Sequence, residues 1–163
     1  MAKNKEEKTN VMRALEQQCI PYTAHAYEHE EGVAVDGVTV AKSLGQDPEQ
    51  VFKTLVARGA SKGIYVFVIP VADSLDLKKA ARAVGEKSIE MVAVKEINGL
   101  TGYVRGGCSP VGMKKQYPTV FHETAEIVDT IMVSAGKIGL QVELAPMALV
   151  ELVGGKLADI VTG

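Results

Sequence analysis

Two apolar runs joined by a short turn place the strongest restriction on how this chain can fold. The runs are "VFKTLVARG" at 51–59 and "GIYVFVIP" at 63–70, and both are rich in the β-branched and aromatic residues that favour strands. The connection between them is far too short for the crossover that parallel neighbours require. The pair therefore predicts an antiparallel hairpin.

The remaining segments predict an alternation of short helices and strands. We expect helices after Thr9, at 38–45, after Asp47, at 74–85 and from Pro146, and further strands at 22–30, 88–94, 119–123, 130–136 and 140–145. Alternation alone favours a parallel α/β fold, but Ser134 and Leu140 are again too close for a crossover. The spacing of the segments therefore favours a mixed or barrel-like sheet flanked by small helices.

Length and composition predict one globular domain. The 163 residues contain 47% hydrophobic and 23% charged residues and show no repeat or linker, so we expect a flexible tail at 1–8 and one domain at 9–163. The charged start and the lack of a long apolar run predict no secretory signal and no membrane span. Two cysteines, Cys19 and Cys108, are too few for a disulfide framework and favour a reducing, cytoplasmic location.

The slightly negative net charge limits which nucleic acids the protein can bind. A net charge of −2 argues against a general DNA or RNA binder, whose affinity rests on many phosphate contacts. A nucleic acid that is gripped only at one end remains compatible with this charge.

Lys53 is the most informative single residue. It interrupts the apolar run "VFKTLV", and an ammonium among apolar neighbours raises the free energy of the fold unless it is paired or reaches a ligand. Two interpretations stand: a ligand-binding lysine, with the hydroxyl of Thr54 beside it, or a lysine at a sheet edge that extends into water.

The segment "GYVRGGCSPVGMKK" at 102–115 is the second candidate. It matches neither a P-loop nor a dinucleotide-binding fingerprint. Gly106 and Gly107 would let a substrate approach backbone N–H groups that stabilise an oxyanion, although an ordinary turn explains the glycines as well. Cys108 could be a nucleophile, but no base is evident beside it, and a small buried loop residue is the preferred interpretation.

The three histidines give no clear metal signal. His25 and His29 alternate on one predicted strand face, and His122 is distant in sequence, so a third ligand is missing. We expect no metal and no cofactor.

Three motifs in order, "VFKTLV", "GYVRGGCSPVGMKK" and "VSAGKIGLQVEL", resemble the YbaK/EbsC family of freestanding aminoacyl-tRNA deacylases, which are related to the editing domain of prolyl-tRNA synthetases. The likeness extends from about Thr9 to Val153. It implies an α+β fold, in which a mixed β-sheet is partly closed into a barrel and flanked by short helices. It also implies hydrolysis of Cys-tRNA(Pro), with Cys-tRNA(Cys) as a further substrate.

The resemblance also implies the site residues. Lys53 matches the family's essential lysine, and Gly106 matches the first residue of a G-x-x-x-P loop that lines the ester site. The implied substrate contacts are Tyr27, Thr54, Gly107, Ser109 and Ser134. The sequence departs from the family pattern at Asp36, where a Phe is expected nearby, at Ile138, and at Gln141, where some relatives have an acidic residue.

The resemblance further implies a mechanism and partners. The substrate's own thiol attacks its ester, so the protein positions and polarises without supplying a nucleophile. Lys53 would hold the terminal adenosine or its phosphate, and Lys114, Lys115 and Lys137 could also contact the acceptor end. A transient complex with prolyl-tRNA synthetase is the implied protein partner.

Two other functions stay open at the level of sequence. One is a deacylase for another mischarged tRNA, such as Ala-tRNA(Pro), since pocket size cannot be read from the sequence. The other is a non-catalytic module that binds tRNA or a synthetase.

Overall fold

Two β-sheets and short helices make up the protein. The computed structural model describes residues 8–30, 33 and 35–162, so that residues 1–7 of the predicted tail lie outside the described residues. The helices are α1 Asn10–Gln17, α2 Gly37–Ser43, α3 Leu77–Val84, α4 Val94–Thr101 and α5 Pro146–Leu152, with a 3-10 turn at Glu123–Glu126. The strands are β1 Tyr22–Ala26, β2 Phe52–Gly59, β3 Ile64–Pro70, β4 Ile89–Met91, β5 Thr119–His122, β6 Ile131–Lys137, β7 Leu140–Leu144 and β8 Lys156–Ala158.

The strand order is simple in both sheets. The three-stranded sheet has the order β1-β7-β6 and is antiparallel throughout. The five-stranded sheet has the order β4-β2-β3-β5-β8, with β3, β5 and β8 mutually parallel. The predicted hairpin is β2–β3, and the second short connection joins β6 to β7, so both antiparallel predictions are confirmed.

Side-chain caps fix several of the helix ends. Thr9 accepts a hydrogen bond from the N–H of Met12 at the start of α1, as the sequence predicted. Asp36 and Asp76 cap α2 and α3 in the same way. Gly85 ends α3 with a φ of 74°, a left-handed conformation that glycine adopts without strain.

The main hydrophobic core joins the two sheets. Val11 and Leu15 of α1 pack in one buried cluster with Val133 of β6, Val68 of β3 and Leu149 of α5. A smaller cluster, formed by Ala41, Val51, Val71 and Met132, lies beneath α2 where the sheets meet. These clusters hold the sheets at a fixed relative position.

The predicted barrel is not present. Within the described residues the two sheets share only one backbone bridge, between Val51 of the chain entering β2 and Met132 of β6. The ladder does not continue past that bridge, and β1 and β4 remain edge strands. The fold is therefore a mixed α+β arrangement of two sheets joined at one point, without closure.

Two local predictions were also wrong. Asp47 accepts a hydrogen bond from the N–H of Glu49, but the segment forms only a turn because β2 begins five residues later. His29 lies beyond β1, which ends at Ala26, so His25 and His29 do not share a strand face. No helix in the described ranges is long and apolar enough to cross a membrane.

We expect the junction of the sheets to carry much of the stability. Met132 is 1% exposed, and Met132→Ala should lower the free energy of unfolding by about 2–5 kcal/mol because it leaves a cavity. Met91 on the edge strand β4 is 44% exposed, and Met91→Ala should change the free energy of unfolding by less than about 1 kcal/mol. Denaturant unfolding of both variants measures the difference, and equal losses would contradict this view of the junction.

Candidate active site

A cavity lies where strand β2 lacks a partner on one edge. β2 pairs with β3 along its whole length, but on its other edge it meets β6 only at Val51 and β4 only from Ala57. The residues between these two points, 52–55, line a cavity of about 500 Å³. A volume of this size is typical of small-molecule sites.

Residues along β2 alternate between its two edges in the direction of their backbone hydrogen bonds, and this alternation places the backbone of Thr54 at the free edge. Gly59 donates its N–H to Gly63 of the hairpin, so the odd-numbered residues of β2 bond to β3. The even-numbered residues face the other edge, as shown by Val56, whose carbonyl accepts from the N–H of Val92. The N–H and C=O of Thr54 therefore face the cavity. Its buried side-chain oxygen also has no hydrogen-bond partner.

Lys53 lies on the cavity wall and is only partly exposed. Burial lowers the pKa of its ammonium, and the carboxylates of Asp73 and Asp36 act in the opposite direction. Lys53 forms no ion pair with the residues that the structure describes. The lysine stands at a free strand edge, and that edge borders a cavity; its role as a ligand-binding residue stays a prediction.

The glycine-rich loop contributes Gly106 to the cavity wall. Gly106 has a φ of 88° and borders the cavity together with Arg105 and Cys108. Its exposed backbone can be approached closely by a ligand, because no side chain intervenes.

Gly107 and Ser109, two other predicted contacts, do not line the cavity. The N–H of Gly107 already donates to the carbonyl of Val104 at 3.0 Å. A Cβ on Gly107 would come within 2.9 Å of the Lys137 Cα, so this glycine allows the loop to pack against the β6–β7 turn. The hydroxyl of Ser109 is fully buried and accepts a hydrogen bond from the N–H of Val111. Both residues hold the loop in place.

The three-stranded sheet supplies the remaining predicted residues. Tyr27 follows β1, is 8% exposed, and donates its N–H to the carbonyl of Gly139. Ser134 on β6 accepts a hydrogen bond from the N–H of Gly136. Both line the cavity, which also includes Gln141, the cross-strand partner of Ser134. The sequence had marked Gln141 only as a departure from a pattern. Its signal was an amide within the otherwise strand-like run "LQVEL".

The wall offers no evident nucleophile–base pair. The structure places none of the three histidines on the cavity wall. His25 contacts the carboxylate of Glu143 at 2.8 Å, His29 contacts the carbonyl of Glu30, and His122 accepts from the N–H of Ile160. Across the described part of the chain, no three His, Cys, Asp or Glu side chains cluster as metal ligands would. The cavity is therefore suited to binding and polarising a substrate.

Comparison with known proteins identifies the family of this chain. A family model for the aminoacyl-tRNA editing domain matches residues 31–152. A protein of Enterococcus faecalis is 48% identical to this chain over 163 residues, which is 99% of each chain. That protein carries the provisional name Cys-tRNA(Pro)/Cys-tRNA(Cys) deacylase EbsC.

Solved structures agree on the fold. A crystal structure, provisionally described as a trans-editing enzyme for prolyl-tRNA synthetase, is 27% identical, with a TM-score of 0.82 over 94% of this chain and 95% of that one. A second structure, of a hypothetical protein, is 22% identical, with a TM-score of 0.82 over 93% and 99% of the two chains. At that identity the second likeness shows the fold alone.

We expect Cys108 to react slowly although it borders the cavity. Burial raises the pKa of its thiol to about 11, so at pH 8 only about one molecule in a thousand carries the nucleophilic thiolate. Cys19 is exposed and should react far faster. Iodoacetamide labelling followed by peptide mass spectrometry compares the two. Faster labelling of Cys108 would mean that the site activates this thiol.

Proposed function

The chain belongs to the aminoacyl-tRNA editing domain family, and we propose that it hydrolyses the ester of Cys-tRNA(Pro), the product of a prolyl-tRNA synthetase that has attached cysteine. The E. faecalis relative is named for this substrate and for Cys-tRNA(Cys), so both are candidates. The enzyme class is aminoacyl-tRNA deacylase. Because its substrate forms in the cytoplasm, we place its action there.

One observation carries the proposal: Lys53 and Gly106 border the same cavity although 53 positions separate them in sequence. The first is a cation that forms no ion pair with the described residues, and the second is a backbone that a substrate can approach. An aminoacylated tRNA end presents an anionic phosphate next to a polarised ester carbonyl. The cavity thus combines the two groups that such a substrate needs.

Lys53 acts as the anchor for the nucleotide. Its ammonium is partly desolvated, so a hydrogen bond to a phosphate or ribose oxygen is stronger there than in water. The charges of Asp73 and Asp36 favour the ammonium form and so help to keep the anchor cationic. The anchor fixes where the ester lies along the cavity.

Gly106 and Thr54 receive the ester. A backbone N–H at Gly106 and the free-edge N–H of Thr54 are donors that can stabilise the oxyanion that forms on the carbonyl oxygen. The unpartnered hydroxyl of Thr54 supplies a further donor. Tyr27 and Ser134 enclose the aminoacyl group, while Gly107 and Ser109 act indirectly by holding the loop.

The nucleophile comes from the substrate. The cysteine thiolate attacks its own ester carbonyl carbon, the carbon–oxygen bond to the ribose breaks, and the ribose oxygen takes up the proton that the thiol released. Water then opens the resulting cyclic thioester and yields free cysteine. Holding thiol and ester together lowers the barrier, since well-oriented intramolecular reactions can gain roughly 7–11 kcal/mol. This route requires no protein nucleophile, which agrees with the raised pKa of the Cys108 thiol.

The tRNA is held at its acceptor end. Arg105 borders the cavity, and Lys114, Lys115 and Lys137 are exposed on the glycine-rich loop and the nearby β6–β7 turn. With a net charge of −2 the protein has little general attraction for a tRNA body. We therefore propose that a transient complex with prolyl-tRNA synthetase supplies the tRNA, which is supported by the description of the 27% identical structure.

We expect Lys53→Ala to lower kcat/KM for Cys-tRNA(Pro) by at least about 100-fold, since it removes a charged contact that positions the ester. Its thermal stability should stay the same or rise, because a desolvated ammonium is lost from a formed sheet. Deacylation of labelled Cys-tRNA(Pro) and a thermal melt measure the two effects.

Matched controls separate the role of Lys53 from a general loss of charge. Lys42→Ala on α2 removes an exposed lysine that does not line the cavity, and it should retain full activity. Cys108→Ala should retain most activity. Full activity of Lys53→Ala, or hydrolysis of Ala-tRNA(Pro) in place of Cys-tRNA(Pro) by the wild type, would contradict the proposal. No hydrolysis of any mischarged tRNA would point to a binding module.

A further inference from the structure

Gln141 contains a polar group that the protein itself leaves without a partner. Its side chain is 7% exposed, and it lines the cavity. Its carbonyl oxygen Oε1 is buried and accepts no hydrogen bond in the part of the chain that the structure describes. Among the described buried side-chain atoms, only those of Thr54 and Thr124 share this state, and Thr124 does not line the cavity.

The strands place Gln141 beside two predicted members of the site. Ser134 on β6 is its direct cross-strand partner, so the two side chains lie on the same face of the sheet. The bridge between Val51 and Met132 is parallel, and two residues further along each strand stand Lys53 and Ser134. Lys53, Ser134 and Gln141 thus occupy successive strands along one wall.

A structural role does not explain an amide at this position. A buried carbonyl without a donor destabilises a fold by about 1–3 kcal/mol, whereas an apolar side chain of similar size has no such penalty. A ligand that donates a hydrogen bond would remove the penalty.

We propose that Gln141 binds the α-amino group of the aminoacyl moiety and so selects substrates that carry a free amine. This inference rests on the proposed function. An acceptor needs a donor, and within the aminoacyl moiety the α-amino group is the strong donor: the ester has none, and a thiol is a weak one. The neighbouring ribose hydroxyl also donates, and it is common to both probes used below. The amine is attached to the carbon adjacent to the ester carbonyl, so a substrate whose ester lies at Gly106 presents it inside the same cavity.

The neutral amide has a consequence for pH dependence. An α-amino group titrates near pH 8, and the Gln141 carbonyl can accept a hydrogen bond from either its ammonium or its amine form. The affinity of the wild type for the substrate should therefore change little as the pH passes through about 8. Gln141→Glu introduces a carboxylate that favours the ammonium, so its affinity for the substrate should fall as the pH rises above about 8.

The test uses two non-hydrolysable probes under reducing conditions. Both are amides of 3′-amino-3′-deoxyadenosine, one with cysteine and one with 3-mercaptopropionic acid, which differ only in the α-amino group. Isothermal titration calorimetry should show that the wild type binds the cysteinyl probe at least about tenfold more tightly, the scale of one hydrogen bond to a charged group. Gln141→Leu should lose that preference and bind the two probes alike. Gln116→Leu, an exposed glutamine away from the cavity, should retain it.

The outcomes separate this inference from the proposed function. An unchanged preference in Gln141→Leu, or an equal loss of affinity for both probes, would overturn the role of Gln141. The melting temperature of Gln141→Leu should be equal to or higher than that of the wild type, and a lower one together with weaker binding of both probes would show a structural role. If the wild type fails to hydrolyse Cys-tRNA(Pro), the proposed function fails, yet the two probes still decide what Gln141 binds.

Discussion

The backbone bridge between Val51 and Met132 is the constraint on which the rest of the site depends. It joins the two sheets at one point, and the pairing stops there. Between this bridge and the start of β4, strand β2 has one free edge, and the cavity occupies that edge. If the sheets had closed into a barrel, a further ladder would have used the backbone groups of Thr54 that now face the cavity.

The cavity is built from groups that the fold leaves unsatisfied. Lys53 has its ammonium partly desolvated, and Thr54 and Gln141 each bury an oxygen atom that has no hydrogen-bond partner among the residues that the structure describes. Each of these features lowers the stability of the empty protein. Each is also a group with which a bound aminoacyl-adenosine could form a hydrogen bond. The groups that lower the stability of the empty protein would therefore contribute to the binding free energy of the substrate. The buried clusters on either side of the junction supply the compensating stability.

The local features of this fold were predictable because they depend on neighbours in sequence. Alternating β-branched residues and a short turn predicted the β2–β3 hairpin, and an ammonium in an apolar run singled out Lys53. The barrel was wrong because closure depends on which distant strands meet, and no local pattern encodes the single contact of β2 with β6. Ser109 was placed among the substrate contacts because its loop matched a motif, whereas packing directs its hydroxyl into the protein. The sequence marked Gln141 only as a departure from a pattern, because its place on the cavity wall depends on how distant strands pair.

The identity of the nucleophile is the central chemical claim, and it is tested most directly by comparing Cys-tRNA(Pro) with Ser-tRNA(Pro). Serine is nearly isosteric with cysteine, so the cavity should bind both substrates with similar affinity. A hydroxyl stays protonated near neutral pH, whereas a thiol with a pKa near 8.5 supplies a reactive thiolate. Single-turnover deacylation with enzyme in excess should therefore be at least about 100-fold slower for Ser-tRNA(Pro). Equal rates for the two substrates would show that water activated by the protein attacks the ester, and would contradict attack by the substrate's thiol.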